Sequence, residues 1–286
     1  MCRFVAYLGE DILLKDVLVD PMYSLVKQSL YAQESLVRTN GDGFGIGWYV
    51  PQISPDPALY VSVLPAWNDM NLLYLTSKTK ATCFFGHVRA ANFGTVSNYN
   101  CHPFIYKQWM FMHNGFVTDF ICIKRALCNL LDEDIYSWIK GQTDSEHVFA
   151  LFIQLARDKD LSHLSIVADV LEATFNTIKQ LLINAGKQDQ SYLNICITDG
   201  KQLVASRYCV DRSQEPDSLH YLISTDQSSG LQQSALIASE MLTEKKQWLR
   251  VPPSHFVCVD ENHKVELRGI GMNKKEAGLQ ATQPGD

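Results

Sequence analysis

The chain has 286 residues, of which 46% are hydrophobic and 20% charged, and its formal net charge is −6. This composition is that of an ordinary soluble globular protein, long enough for one large domain or two small ones. The acidic balance and the lack of a lysine- or arginine-rich strip argue against a nucleic-acid-binding surface. No apolar run is long enough to cross a membrane.

The eight cysteines show no C-x-x-C spacing, and Cys122, Cys196 and Cys258 lie inside apolar runs. This pattern predicts buried free thiols in a reducing compartment rather than a disulfide framework. The N-terminus lacks a basic region followed by an apolar core, so we expect no secretory signal. We therefore expect a cytoplasmic protein.

The first predicted element is a strand over residues 2–8. Asp20 and Pro21 then have the pattern of a helix cap and a first helical position, and an apolar stripe of helical spacing follows. The stripe consists of Met22, Leu25, Val26, Leu30 and Val37. The glycine-rich residues 40–47 lack the Lys-Ser/Thr of a phosphate-binding loop, so they predict a structural turn into a strand.

Residues 81–88 and 109–112 are predicted strands. Thr143 and Glu146 form a capping-box pattern before an amphipathic helix. A second such helix starts near residue 165, with Gly186 as its predicted end. Further predicted strands, the first two of them joined as a hairpin through Asp199-Gly200, cover residues 192–198, 202–208, 221–224, 256–260 and 264–268.

Strands joined by hairpins, with two long amphipathic helices between them, predict an α+β fold of stacked antiparallel sheets with helices outside. The pattern alone does not choose among such folds. Residues 271–286 are polar, and we expect a disordered tail there.

The position of Cys2, directly after Met1, indicates a chemical role. Met1 is normally removed when the next side chain is small, which would leave a thiol and a free α-amine on one residue. These groups titrate near pH ~8.5 and ~8, so one residue would carry a nucleophile and its own base. An ordinary second residue is the alternative interpretation.

Four internal segments support the chemical interpretation. Together with the N-terminal Met-Cys-Arg-Phe, residues 40–49, 86–94, 113–115 and 143–146 resemble, in this order, the glutaminase domain of class II glutamine amidotransferases. Residues 65–68, 100–104, 238–242 and 248–252 are similar to its stand-alone branch, which hydrolyses γ-glutamyl amides. That branch includes ergothioneine-pathway amidohydrolases and Dug-type glutathione-degrading subunits.

The resemblance implies a glutaminase domain over residues 1–270. It also implies the N-terminal-nucleophile (Ntn) hydrolase fold, a four-layer αββα sandwich of two antiparallel sheets with Cys2 at the end of a central strand. Dug-type relatives work with a separate metallopeptidase, and other glutaminases with a synthase, so the expected partners are a small γ-glutamyl substrate and one such subunit. No nucleic acid or membrane partner is expected.

The resemblance also implies residue roles. Cys2 is the nucleophile, and the Asn114 side-chain amide and the Gly115 backbone N–H stabilise the oxyanion. Arg89 holds the carboxylate of the glutamyl head group through its planar fork, and Asp144 holds its ammonium. Simpler interpretations are a tight turn at Asn114-Gly115, a plain salt bridge at Arg89, and a helix-dipole effect at Asp144.

Two features separate this chain from large synthases and from metalloenzymes. Ala90, Asn92 and Phe93 depart from the Trp-Ala-Thr-His-Gly that is typical of synthase glutaminase domains, which favours the stand-alone branch. His87, His102 and His113 lack metal-ligand spacing and are interpreted as structural. No metal and no cofactor are expected.

Three hypotheses follow from the sequence. The first is an N-terminal-cysteine amidohydrolase that cleaves γ-glutamyl amides such as glutamine or glutathione through a glutamyl thioester. The second is a glutaminase subunit that passes ammonia to a separate synthase. The third is a non-catalytic interaction module with the same fold, which is disfavoured because nucleophile, oxyanion donors and head-group residues are all present.

Overall fold

Two antiparallel β-sheets form the centre of the protein, in a computed structural model that describes residues 2–34, 38–91, 94–225, 232–244 and 246–271. In chain order the strands are β1 (Arg3–Leu13), β2 (Phe44–Val50), β3 (Ser54–Ser62), β4 (Lys80–Val88), β5 (Phe104–Tyr106), β6 (Trp109–Phe116), β7 (Tyr192–Thr198), β8 (Leu203–Arg207), β9 (His220–Thr225), β10 (Gln232–Ala238), β11 (Leu249–Arg250), β12 (His255–Val259) and β13 (Val265–Gly269). The helices are α1 (Lys15–Leu18), α2 (Leu25–Leu30), α3 (Met70–Thr76), α4 (Phe120–Cys128), α5 (Glu133–Trp138), α6 (Asp144–Ala156) and α7 (Leu164–Asn184).

Within the described residues one sheet has seven strands, in the order β11-β9-β10-β1-β4-β2-β3, and the other has six, in the order β13-β12-β8-β7-β6-β5. Strand β1 is the fourth of the seven. Val5 pairs with Ala238 of β10 on one side and with Gly86 of β4 on the other. Cys2 directly precedes this central strand, as the resemblance implies.

Alternation along β1 explains how the layers pack. Phe4, Ala6 and Leu8 belong to the apolar cluster between the two sheets. Val5 and Tyr7 belong to the cluster that the seven-stranded sheet forms with α1 and α2. Successive side chains of a strand point to opposite faces, so this buried strand is apolar on both sides.

The six-stranded sheet shows the same alternation. Met110 and Met112 of β6 face the inter-sheet cluster, whereas Phe111 stacks on Phe149 of α6 with ring centroids 4.9 Å apart. Helices α4 to α7 therefore cover the outer face of this sheet. The four-layer αββα sandwich is confirmed.

The local signal at the end of α7 is confirmed, and the one at the start of α6 is confirmed in part. The Thr143 hydroxyl accepts a hydrogen bond from the Glu146 N–H (3.2 Å) at the start of α6. The Glu146 carboxylate does not complete the predicted capping box, because it accepts instead from the N–H groups of Lys140 and Gly141. Helix α7 ends just before Gly186, whose φ of 70° is a left-handed conformation that suits glycine.

The predicted helix start at Asp20-Pro21 is wrong. Helix α2 begins at Leu25 and is capped by Ser24, while the Asp20 carboxylate binds Lys15 (2.9 Å). Val37 of the predicted stripe lies outside the described residues, as do residues 272–286 of the predicted tail.

The cysteine prediction is partly wrong. All eight cysteines are free thiols, but Cys122 is exposed. The buried face of α4 consists of Phe120, Ile123 and Leu127, and Cys122 lies off that face. Among the described residues no helix is long and apolar enough to span a membrane.

Candidate active site

A pocket lies at the N-terminal end of β1 and is lined by Cys2 and by three chain segments. These segments are residues 89–91 after β4, the residues His113, Gly115 and Phe116 at the end of β6, and residues 143–145 at the start of α6; His102 completes the lining. Four of the five predicted site residues, Cys2, Arg89, Gly115 and Asp144, therefore meet at one pocket.

The Cys2 thiol is held by the loop that follows β4. Its Sγ lies 3.4 Å from the Ala90 nitrogen and 3.5 Å from the Ala90 carbonyl oxygen. The next residue, Ala91, donates its N–H to the Asp42 carboxylate (2.8 Å), so the glycine-rich turn braces this loop. Burial raises the pKa of the Cys2 thiol, so the thiol is protonated at neutral pH and needs a base to become a nucleophile.

The Gly115 N–H is directed by the pairing of β6 with β7. Leu193 lies opposite Gly115, and the Leu193 N–H donates to the Tyr208 carbonyl on the far side of β7. Directly opposed residues of an antiparallel pair point their backbone groups either at each other or both away. The Gly115 N–H therefore points away from β7, towards the edge where the Val117 N–H reaches Asp144. On that edge it faces the pocket.

Asn114 continues the row of β6 side chains that faces the other sheet. Its side chain is fully buried, and it is not among the residues that line the pocket. Nδ2 donates to the Ser239 hydroxyl (3.3 Å), and Oδ1 has no hydrogen-bond partner among the described residues. An amide nitrogen carries two hydrogens, so Nδ2 keeps one for an oxyanion. The role of Asn114 as an oxyanion donor stays a prediction.

Arg89 is buried directly after β4. Its N–H donates to the Gly43 carbonyl (2.9 Å), and Nη1 donates to the Thr95 carbonyl (3.1 Å). Asn100 also donates to the Thr95 carbonyl (2.8 Å) and accepts from the Gln142 N–H (2.8 Å). Asn100 thus ties the loop that holds Arg89 to the segment that leads into α6.

Asp144 is the first residue of α6 and is buried. One carboxylate oxygen accepts from the Val117 N–H (2.7 Å) and the other from the Ser145 N–H (2.8 Å). A carboxylate offers about four acceptor positions, so these two bonds orient the group and leave capacity for an ammonium ligand.

The three histidines near the pocket are neutral. Burial lowers the pKa of His113, whose Nε2 donates to the Tyr192 carbonyl and whose Nδ1 accepts from the Ser145 hydroxyl, both at 2.9 Å. Burial also lowers the pKa of His87 to about 3 and lowers the pKa of His102, and these two rings lie tilted against each other with centroids 4.2 Å apart. The described part of the chain contains no group of three His, Cys, Asp or Glu side chains placed to bind a metal.

Sequence reasoning missed the residues that brace the site. Asp42 and Asn100 lie inside motifs that the sequence singled out, but their contacts are with backbone groups of other loops. Ser145 lies inside the segment 143–146, but the sequence pattern assigns it no role. No spacing rule identifies such contacts, because each joins segments that are distant in the chain.

The family model for class-II glutamine amidotransferases matches residues 12–283. The chain is 35% identical over 292 residues to the probable glutamine amidotransferase DUG3 of Saccharomyces cerevisiae, covering 91% of this chain and 82% of the yeast protein. It is 26% identical over 268 residues to the gamma-glutamyl-hercynylcysteine sulfoxide hydrolase of Mycolicibacterium smegmatis, covering 93% and 98%.

Solved structures show the same fold. A glutamine aminotransferase class-II domain protein from Silicibacter pomeroyi superposes with a TM-score of 0.67 at 24% identity, covering 94% of this chain and 99% of that one. Glutamine phosphoribosylpyrophosphate amidotransferase from B. subtilis gives a TM-score of 0.63 at 13% identity, covering 95% of this chain and 50% of that one. At these identities the likeness concerns the fold alone.

Proposed function

The chain belongs to the class-II glutamine amidotransferases, and we propose that it is an N-terminal-cysteine amidohydrolase that cleaves γ-glutamyl amides through a glutamyl thioester. Two relatives support this proposal by their names, which are a probable glutamine amidotransferase and a gamma-glutamyl-hercynylcysteine sulfoxide hydrolase. The observation that carries the proposal is the single pocket where Cys2, Arg89, Gly115 and Asp144 meet.

The first step activates the thiol. Removal of Met1 gives Cys2 a free α-amine, and this amine takes the thiol proton, because burial keeps the thiol itself protonated at neutral pH. The sulfur then attacks the γ-carbonyl carbon of the substrate. With Met1 attached the nitrogen is an amide and cannot act as a base.

The second step stabilises the tetrahedral intermediate. The Gly115 N–H and the second hydrogen of Asn114 Nδ2 donate to its oxyanion. The C–N bond breaks as the leaving amine takes the proton from the α-ammonium, which leaves a glutamyl thioester on Cys2. Water then attacks the thioester and gives its proton to the α-amine. The C–S bond breaks, glutamate leaves, and the proton returns to the sulfur.

The head group supplies the specificity for glutamyl compounds. Arg89 and Asp144 border the same pocket and carry opposite charges, which match the α-carboxylate and α-ammonium of a free amino acid head group. A bidentate arginine–carboxylate contact fixes orientation as well as affinity. The γ-carbonyl is thereby placed at Cys2.

The substrate proposal is a γ-glutamyl amide with a leaving group larger than ammonia, with glutathione or a related thiol first. It rests on the resemblance to the stand-alone branch and on the mycobacterial relative, whose name gives a γ-glutamyl compound of a cysteine derivative as its substrate. This proposal includes a separate metallopeptidase subunit as partner. The alternative, a glutaminase subunit that supplies ammonia, would have a separate synthase as partner.

The test measures glutamate release by the purified chain with Met1 removed, from glutamine, glutathione and other γ-glutamyl amides. Hydroxylamine, added as a competing nucleophile, should divert the thioester to γ-glutamyl hydroxamate. Cys2→Ala should abolish both products. Cys122→Ala is the matched control, because Cys122 is an exposed free thiol outside the pocket, and it should retain full activity.

Each outcome selects one hypothesis. Efficient hydrolysis of glutamine without hydrolysis of glutathione, with and without a metallopeptidase partner, would replace the proposal by the ammonia-supplying subunit. No hydroxamate from any γ-glutamyl amide under either condition would favour the non-catalytic module.

A further inference from the structure

The residues that follow β10 bind the start of β1 beyond the end of the strand pairing. The last paired residue of β10 is Ala238, opposite Val5. The Ser239 N–H then donates to the Phe4 carbonyl (3.0 Å), and the Phe4 N–H donates back to the Ser239 hydroxyl (3.0 Å). Both backbone groups of Phe4 are therefore fixed by one residue.

A buried ion pair continues this attachment towards the nucleophile. Arg3 Nε lies 2.6 Å from a Glu240 carboxylate oxygen, and the two side chains are 2% and 4% exposed. Arg3 Nη1 donates to the carbonyl oxygen of Cys2 (2.8 Å). The Glu240 carboxylate also accepts the N–H groups of Gln33 (2.8 Å) and Glu34 (3.0 Å).

We propose that the Arg3–Glu240 pair is a positioning clamp. It holds Cys2 so that the α-amine and the thiol of this residue keep the orientation that proton transfer between them requires. The proposal rests on the function proposed above. Arg3 and Glu240 touch neither the pocket nor the reacting atoms, so they are positioning residues.

The geometry explains why a clamp is needed. A terminal residue is the part of a chain that is most free to move, yet the base and nucleophile of this site share it. Arg3 fixes the Cys2 carbonyl, and through the planar peptide group it fixes the Cα as well. Ala90 fixes the Sγ. With Cα and Sγ both held, the direction of the α-amine is determined.

Stability alone is a weak reason for such a pair. Desolvation of two buried charges offsets most of their attraction, and apolar replacements of similar volume are often as stable. Ser239, the residue before Glu240, also orients the predicted oxyanion donor, because its hydroxyl accepts a hydrogen bond from Asn114 Nδ2. Ser239 and Glu240 thus attach the nucleophile and the predicted oxyanion donor to one short segment.

The test compares Glu240→Gln and Arg3→Lys with Glu215→Gln in the full, Met1-processed chain. Glu215 is the control for loss of a glutamate that pairs with a buried arginine, since it lies 2.6 Å from Arg207, is itself exposed, and is not among the described residues that line the pocket. Arg3→Lys keeps the charge opposite Glu240, so it serves if Glu240→Gln does not fold. A lysine ammonium lacks the fork that reaches both partners.

The readouts are kcat, KM and the order parameter of Cys2 from relaxation of selectively ¹³C-labelled cysteine, with the Cys2 signal assigned by its loss in Cys2→Ser. Misplacement of a reacting group costs up to about a hundredfold in rate, so we expect both clamp variants to lower kcat at least tenfold with KM within about threefold. We expect the order parameter to fall from about 0.85 to below about 0.6. Glu215→Gln should change neither.

Unchanged kcat and an unchanged order parameter, with only a lower Tm, would overturn the clamp. A wild-type chain that hydrolyses no γ-glutamyl amide would instead overturn the proposed function. In that case the Cys2 order parameter still tests whether Arg3 and Glu240 hold Cys2, because its measurement requires no substrate.

Discussion

Replacement of Asp144 by asparagine tests head-group recognition most directly. The side chains have nearly the same shape, but asparagine has no charge and presents one oxygen and one NH₂ group. In the protein both carboxylate oxygens are in use, one by the Val117 N–H (2.7 Å) and one by the Ser145 N–H (2.8 Å). The variant therefore changes ligand binding and local structure together.

The two effects have similar magnitudes. Loss of a charge-assisted hydrogen bond to the substrate ammonium costs about 1.5–3 kcal/mol, which is about tenfold to 150-fold in kcat/KM. The asparagine NH₂ group would face one of the two backbone donors, and a buried donor left without an acceptor costs about 1–3 kcal/mol of stability. A fall in kcat/KM or in Tm alone would not separate them.

A cycle that combines two enzymes, the wild type and Asp144→Asn, with two substrates separates the effect on substrate binding from the effect on stability. The first substrate is a γ-glutamyl amide, and the second is the matching glutaryl amide, which lacks only the α-amino group. In the wild type we expect removal of this group to lower kcat/KM by about tenfold to 150-fold. In Asp144→Asn the same removal should cost less than about threefold, because the anion that recognises the ammonium is gone.

If removal of the α-amino group lowered kcat/KM equally in the wild type and in Asp144→Asn, Asp144 would not be the residue that recognises the substrate ammonium. Asp144 would then serve only to cap α6 and to bind Val117. Ser145→Ala is the matched control, since it removes a hydroxyl beside the carboxylate without removing the charge, and its cycle should resemble that of the wild type.

Three further predictions follow from the site. A preparation that retains Met1, verified by intact mass, should show no turnover, because its nitrogen at Cys2 is an amide; full activity with Met1 attached would contradict the proposed base. Asn114→Ala should lower kcat by about 10²–10³ with little change in KM, whereas a change in KM alone would place Asn114 outside the oxyanion site. Burial lowers the pKa of His87 to about 3, and an unfolded histidine titrates near ~6.5. The unfolded chain therefore binds more protons between these values, and stability falls as the pH drops through that window. His87→Gln should reduce the loss between pH 7 and pH 5 by about 2 kcal/mol in urea unfolding, and an unchanged pH dependence would show that His87 is not the group responsible.

Local signals predicted those parts of the fold that depend on neighbours in sequence. The strand at Cys2, the hydroxyl cap of α6 and the glycine end of α7 each follow from a few consecutive residues. Strand β3 was missed because Pro55 and Pro57 interrupt its pattern. Proline is tolerated there since β3 is an edge strand, a fact that only the sheet order reveals.

The site was predicted through a resemblance that assigned residue roles, but not through the contacts that hold those residues. Ser239 and Glu240 belong to a segment that the resemblance marked without giving it a role. Their partners Phe4 and Arg3 lie more than 230 positions earlier in the chain. Such contacts arise only when β10 pairs with β1, and no local pattern encodes that pairing.

The contacts of Asn100 bear on the substrate proposal, because Asn100 belongs to segment 100–104, which is similar to the stand-alone branch. Its amide joins the Thr95 carbonyl, which Arg89 also binds, to the Gln142 N–H near the start of α6. This link sets the spacing between Arg89 and Asp144, the residues proposed to hold the two charges of the glutamyl head group. Every γ-glutamyl amide carries that head group, whatever its leaving group. Preference for a thiol-containing leaving group over ammonia therefore has to come from other residues that border the pocket, such as Phe116 and His102.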